Sequence, residues 1–138
     1  KDKYFAKRKE IKMYKELIVS IVVIICIITI NNITWDYTKK ITKEIKSNLD
    51  DVRISFKSEE DNVNEKAIKL YEKWEEVDDT LAYYIEHNEL EKIKTELTEI
   101  RTFSETKEYN NGIESIDKCK YLLEHLDDKT KVTLDNIF

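Results

Sequence analysis

The sequence contains almost none of the residues that end helices or build tight turns. Among its 138 residues there is no proline and a single glycine, Gly112. Proline interrupts helices, and glycine supplies the backbone conformation of many hairpin turns. Their scarcity leaves few places for β-hairpins, so we expect an all-α chain of long helices joined by short polar loops. The length allows one domain.

The chain has only two cysteines, and they lie in different kinds of segment. Cys26 falls within an apolar run and Cys119 within an acidic region. An apolar run of this kind is typical of a membrane segment, and a cysteine inside a bilayer cannot pair with one outside it. We therefore expect neither a disulfide framework nor a cysteine metal site. Cys119 lies three residues after Ile116 and four before Leu123, which favours a buried, inert thiol; a disulfide between two copies is the alternative.

Motifs for catalysis and metal binding are also missing. The two histidines, His87 and His125, form neither HExxH nor a His-x-x-x-His pair, and a metal site needs three or four convergent ligands. The acidic runs lack the spacing and the glycine of a calcium loop. We therefore predict no catalytic, cofactor-binding or metal-binding residue, and a chain that is not an enzyme.

Charge is abundant but unevenly distributed. Residues 1–35 contain seven basic and three acidic residues, whereas the remainder contains 17 basic and 26 acidic residues, a net charge of −9. Phosphate backbones bind to patches of lysine and arginine. Nucleic acid is therefore not an expected partner of the acidic region.

The longest apolar run reads LIVSIVVIICIITI over residues 17–30. Extended to residue 35, it gives a helix of about 28 Å at ~1.5 Å per residue, close to the ~30 Å of a hydrocarbon core. We predict one transmembrane helix at 17–35, whose lipid partner is the bilayer. Its assigned residues are Leu17, Ile18, Val22, Ile25, Ile28, Ile33 and Trp35.

The flanks of this segment predict its orientation. Five basic residues between positions 7 and 15 precede it, and Lys39, Lys40 and Lys43 follow it. The positive-inside rule places residues 1–16 in the cytoplasm as a short basic tail and the acidic region outside the cell membrane. The alternative, a cleaved signal peptide, is less favoured because NNITWDY offers no small residues for cleavage.

Helical periodicity continues beyond the apolar run. We predict a stem helix over residues 36–60 that continues from the transmembrane helix, then an antiparallel bundle over residues 61–138 with helical-repeat-like hairpins. The second helix is expected to end near His87, after Tyr84, and VTLDNIF to form a short last helix. Apolar residues that step by three and four indicate a coiled-coil-like packing seam. The seam residues are Val63, Ala67, Leu70, Trp74, Val77, Leu81, Leu90, Ile93, Leu97, Ile100, Ile116 and Leu123.

Two small residues stand out beside this seam. Ala67 and Gly112 follow asparagines in DNVNEKAIKL and EYNNGIESI, two segments 45 residues apart. Each would let a neighbouring helix approach closely, in a pattern typical of helical repeats.

The chain resembles a known family in several motifs. They are N-x-x-A-I-x-L-x-x-x-W from Asn64, I-x-H-x-E from Ile85, YLLEHL from Tyr121 and the ending L-x-N-I-F from Leu134. The family is known as domain of unknown function 4363, and the resemblance covers nearly the whole chain. It implies a bacterial, membrane-anchored helical protein without an established activity, and a small integral membrane protein as its companion.

These observations favour a non-enzymatic, membrane-tethered helical interaction module. The expected partner is another integral membrane or envelope protein, or a second copy of the chain. One alternative is an extracytoplasmic helical bundle that senses a ligand, although residues 1–16 could not hold an effector domain. The other, least favoured, is an enzyme at the cell surface.

Overall fold

The structure is a computed structural model that describes residues 2–130. Four helices account for its regular secondary structure in this range: α1 is Asp2–Lys57, α2 is Val63–Leu81, α3 is His87–Thr106 and α4 is Tyr109–Thr130. The described residues contain no strand, which confirms the predicted all-α class. The chain separates into two units, Lys1–Thr34 and Trp35–Phe138.

In the first unit, the apolar side chains of α1 are exposed. Every large apolar side chain from Leu17 to Ile33 is exposed, and these include six of the seven residues assigned to the membrane span. The hydroxyls of Ser20 and Thr29 donate hydrogen bonds to backbone carbonyls four residues earlier, at 2.9 and 2.8 Å. By length and composition, one helix of the described residues could cross a membrane, which is compatible with single-pass anchoring.

The second unit is a bundle of four helices, and polar contacts between the helices define its topology. In each pair of consecutive helices, the contacting residue numbers run in opposite directions, so all three pairs are antiparallel. The contacts are Lys73–Glu44 (3.1 Å) and Lys66–Ser55 (2.6 Å) for α1 and α2, Lys94–Glu75 (3.4 Å) and Ser104–Asn64 (3.0 Å) for α2 and α3, and Lys129–Glu89 (3.1 Å) and Ser115–Glu99 (2.9 Å) for α3 and α4.

Contacts between α1 and α4 close the bundle. Arg53 donates two hydrogen bonds to the carboxylate of Asp117, at 3.1 and 3.0 Å, and Lys120 lies 2.7 Å from Asp50. The topology is therefore up-down-up-down, with short connections. Residues of the predicted stem helix thus form one of the four helices of the bundle.

One apolar core lies between the four helices. Each helix contributes the residues that step by three and four along one face, which is the periodicity of a buried helical stripe. From α1 the core contains Ile41, Ile45, Leu49, Val52 and Phe56, and all twelve residues of the predicted packing seam are buried with them. Leu126 and Cys119 of α4 complete it.

The second helix ends earlier than the sequence predicts. It ends at Leu81, and Tyr84 lies in the turn that follows. The hydroxyl of Tyr84 is 3.0 Å from that of Thr38, and Ile85 packs against the core. These two contacts hold the segment outside the helix, so Tyr84 does not continue the heptad of α2.

The predicted last helix, which contains Leu134, Asn136, Ile137 and Phe138, lies outside the described residues. The break predicted between the first and second helices is present: α1 ends at Lys57 and Asn62 precedes α2 as its N-cap residue.

Candidate functional site: a groove between α1 and α2

A surface groove of about 440 Å³ runs between α1 and α2. The buried side chains of Val52 from α1 and Leu70 from α2 belong to its lining. Ile54 lies on the wall and is 58% exposed, an unusual position for a large apolar side chain within this bundle. The remaining lining residues are Asn48, Asp51, Lys66, Lys69 and Lys73.

Polar contacts between the helices fix both ends of the groove. At the end near the α1–α2 turn, the ammonium group of Lys66 lies 2.7 Å from Glu60 and 2.6 Å from the hydroxyl of Ser55. The Ser55 hydroxyl also lies 2.9 Å from the same carboxylate. At the other end, Lys73 of α2 lies 3.1 Å from Glu44 of α1. The two helices are therefore held at a fixed separation along the groove.

Each lysine of the groove has a carboxylate close to it. The hydrogen bond from Lys66, followed by that from Ser55, holds the pKa of Glu60 below its ordinary value. The hydrogen bond to Glu44 raises the pKa of Lys73, and the hydrogen bond to Glu65 raises that of Lys69. These pairs are exposed, so their contribution to stability is small. The groove is therefore an apolar strip with charged edges of both signs.

Such a strip can receive the apolar face of a helix. Recognition of an amphipathic helix requires an apolar groove that accepts side chains one turn apart, and charged edges that set the orientation. Ile54, together with the floor of the groove, supplies the apolar contact, and the lysine–carboxylate pairs can exchange partners with a charged helix.

A second polar cluster lies between α3 and α4. The hydroxyl of Ser115 donates a hydrogen bond to Glu99 at 2.9 Å, and one carboxylate oxygen of Glu96 is buried without a hydrogen-bond partner in the structure. Burial raises the pKa of Glu96, and the nearby charge of Glu99 adds to the shift. The described residues contain no group of three histidine, cysteine, aspartate or glutamate side chains that could hold a metal ion.

The residues discussed from the sequence are dispersed through the unit. His87 and His125 are exposed, and Cys119 is buried, with its pKa raised to about 12 by burial. A disulfide between copies would require the bundle to open around Cys119. Trp74, a residue of the predicted packing seam, is completely buried.

The sequence alone reveals neither the groove between α1 and α2 nor the contact between Ser115 and Glu99. Ile54 lies off the periodic stripe of α1, so no pattern within one helix marks it as part of a groove. Ser115 and Glu99 face each other only because α3 and α4 are antiparallel neighbours. One usable signal was Ser115 itself, a polar residue beside Ile116 on the apolar face of α4.

Comparisons with known proteins identify one family. A family model described as a domain of unknown function (DUF4363) matches residues 32–137, most of the chain. No curated protein and no solved structure matches the sequence. The matched range covers the whole described part of the four-helix bundle from Trp35 onward.

Proposed function

The chain belongs to the DUF4363 family, and we propose that it is a non-enzymatic, membrane-tethered helical interaction module. Its partner is another integral membrane or envelope protein that places a helix in the α1–α2 groove. The apolar segment at residues 17–35 anchors the chain in the cell membrane as a single-pass helix. The N-terminus lies in the cytoplasm and the bundle lies outside it.

The observation that carries this proposal is the exposure of Ile54 within the groove. A bundle with a closed apolar core gains no stability from a large apolar side chain that is 58% exposed. Burying the exposed part of this side chain against a partner would contribute roughly 1–2 kcal/mol. Contacts between α1 and α2 bridge both ends of the groove, and the groove is present before a partner binds.

Tethering favours such a partner in the same membrane. Two chains confined to one bilayer meet at a much higher effective concentration than two soluble chains, so a groove of modest size can suffice for binding. The acidic composition of residues 36–138 keeps this region soluble at the membrane surface.

Site-specific photocrosslinking in the native membrane tests the proposal. A photoreactive amino acid replaces Ile54 in the full chain, and the same amino acid replaces Tyr121 on α4 as the matched control. Tyr121 is also an exposed large side chain, at 68%, but lies away from the groove. We expect one discrete adduct from position 54, identified by mass spectrometry, and none from position 121.

A Leu81→Asp variant that carries the same photoreactive group serves as a second control. A charge at this fully buried position disrupts the bundle, so the adduct should disappear. A monomeric protein without an adduct at position 54 would contradict the interaction module. An adduct with a second copy of the chain would show that the groove mediates self-association and does not bind a different membrane protein.

A further inference from the structure

The end of the bundle at which the chain enters from the apolar segment is marked by aromatic side chains. Trp35 opens the second unit, and the ammonium group of Lys39 lies 5.1 Å from the centre of its ring. The turn after α2 reaches the same level, because Tyr84 lies 3.0 Å from Thr38. Thr38 follows Trp35 by three residues, a rise of about 4.5 Å along the helix.

Tyr83, in this turn, is the most exposed large apolar or aromatic side chain of the described residues, at 89%. A tyrosine in this position has no packing role within the bundle. Tyrosine and tryptophan rings are amphipathic, with an apolar body and a polar tip, and they concentrate where lipid headgroups meet hydrocarbon. Three such rings, those of Trp35, Tyr83 and Tyr84, therefore lie at one end of the bundle.

The opposite end of the bundle has a different surface. It is formed by the α1–α2 turn and the α3–α4 turn, and its exposed side chains are polar or charged. They are Lys57, Ser58, Glu59, Asp61, Asn62, Lys107 and Glu108. Tyr109 at this end is partly buried, with its ring centre 5.7 Å from that of Phe56. Apart from Tyr121 on α4, the exposed aromatic side chains of the second unit thus lie at the end that adjoins the apolar segment in sequence.

From this asymmetry we infer that the turn after α2, with Tyr83 at its tip, lies in the headgroup layer of the bilayer and forms a second membrane contact. The inference rests on the proposed membrane anchor and deepens it. The partner is the interface of a zwitterionic bilayer, because exposed groups of both signs lie at this end: Asp36, Asp79 and Glu86 are acidic, and Lys39 and Lys40 are basic. Trp35 is both the last residue of the proposed membrane segment and the first residue of the second unit.

Quenching of tryptophan fluorescence by brominated lipid tests this contact. The full chain is reconstituted into phosphatidylcholine vesicles with brominated acyl chains. Tyr83→Trp and the matched control Tyr121→Trp are each introduced into a Trp35→Phe background, while Trp74 remains buried in every variant. Tyr121 adjoins Lys120, which contacts Asp50, fifteen residues beyond Trp35 and therefore about 22 Å further along the helix.

We expect the tryptophan introduced by Tyr83→Trp to lose emission in brominated vesicles and that introduced by Tyr121→Trp to keep it. The second contact would be overturned if each introduced tryptophan emitted equally in brominated and in ordinary vesicles. The unsubstituted chain separates the two hypotheses. If brominated lipid quenches Trp35 but not the tryptophan introduced by Tyr83→Trp, the anchor stands and only the membrane contact of the turn is refuted. If Trp35 is not quenched, the anchor itself is refuted.

Discussion

At the scale of single residues, Gly112 shows how closely two helices of the bundle approach. A Cβ atom at this position would lie 2.5 Å from Cε2 and 2.8 Å from Cζ of Phe56, distances that side chains do not tolerate. Phe56 is itself buried in the core and cannot move aside freely. The sequence correctly marks Gly112 as a small residue that permits close approach, but it does not identify the ring that occupies the space.

Gly112→Ala should therefore destabilise the bundle, although alanine is the better helix former by up to ~1 kcal/mol. Overpacking of a filled core costs about 1–3 kcal/mol, so we expect a net loss of about 1 kcal/mol in the free energy of unfolding. Thermal unfolding followed by circular dichroism measures it. In a Phe56→Leu background the same substitution should become neutral or stabilising, and an equal loss in both backgrounds would show that the ring is not the cause.

Glu96 is the residue whose ionisation the fold opposes most plainly. Burial and the charge of Glu99 raise its pKa above the ordinary value, and one oxygen lacks a hydrogen-bond partner. A group with a raised pKa in the folded state contributes stability at low pH, which is lost as the pH rises through its folded-state pKa. The unsubstituted chain should therefore carry a cost at neutral pH that a neutral side chain avoids.

Glu96→Gln should raise the unfolding temperature at pH 7, by the equivalent of about 1 kcal/mol, and the gain should shrink as the pH falls through the raised pKa of Glu96. Paired measurements of both chains from neutral to acidic pH isolate Glu96 from the carboxylates whose pKa is lowered, Glu60, Glu65 and Glu89. Glu124→Gln makes the same change at an exposed position of α4 and should leave the unfolding temperature at pH 7 unchanged. A gain independent of pH would refute the electrostatic explanation.

At the scale of helices, periodicity predicts which face is buried but not where the helix ends. The 4-3-4-3 spacing from Val63 to Leu81 marks the inner face of α2, because a straight helix turns once in 3.6 residues. The end of α2 carries no glycine or proline, so only tertiary contacts distinguish Leu81 from the turn after it. The hydrogen-bonding distance between Tyr84 and Thr38 is one such contact, and its partners are 46 residues apart.

The groove illustrates a second limit of sequence patterns. Its walls come from two helices, and its shape depends on which helices are neighbours. The sequence predicts short loops and therefore antiparallel consecutive helices, which places α1 beside α2. It does not predict that α4 also packs beside α1, as the hydrogen bonds of Arg53 with Asp117 show. The sequence also does not show which side chains of α2 lie beside Ile54, so this residue looks, from the sequence alone, like an isolated surface residue.

At the scale of the whole molecule, the chain combines two units with opposite surface chemistry. The first unit exposes isoleucine, valine and leucine side chains along α1, whereas the second unit buries most of its apolar side chains, apart from Ile54 and three tyrosines, and exposes charge. An apolar surface of this length is rarely stable in water. A charged bundle, in contrast, has no reason to enter hydrocarbon. The distribution of apolar surface therefore favours a chain whose first unit resides in lipid and whose second unit resides in water.

Membrane extraction and protease protection test this arrangement together. The full chain should remain with the membrane fraction after an alkaline carbonate wash, because a transmembrane helix of about 20 apolar residues is held by the hydrophobic effect and not by surface charge. The chain shortened to residues 35–138 keeps all the described core residues and should appear in the soluble fraction as a helical protein. Release of the full chain by carbonate would contradict the anchor.

Protease added to intact spheroplasts should degrade the bundle of the anchored chain, because the positive-inside rule places it outside, and complete protection would reverse the orientation.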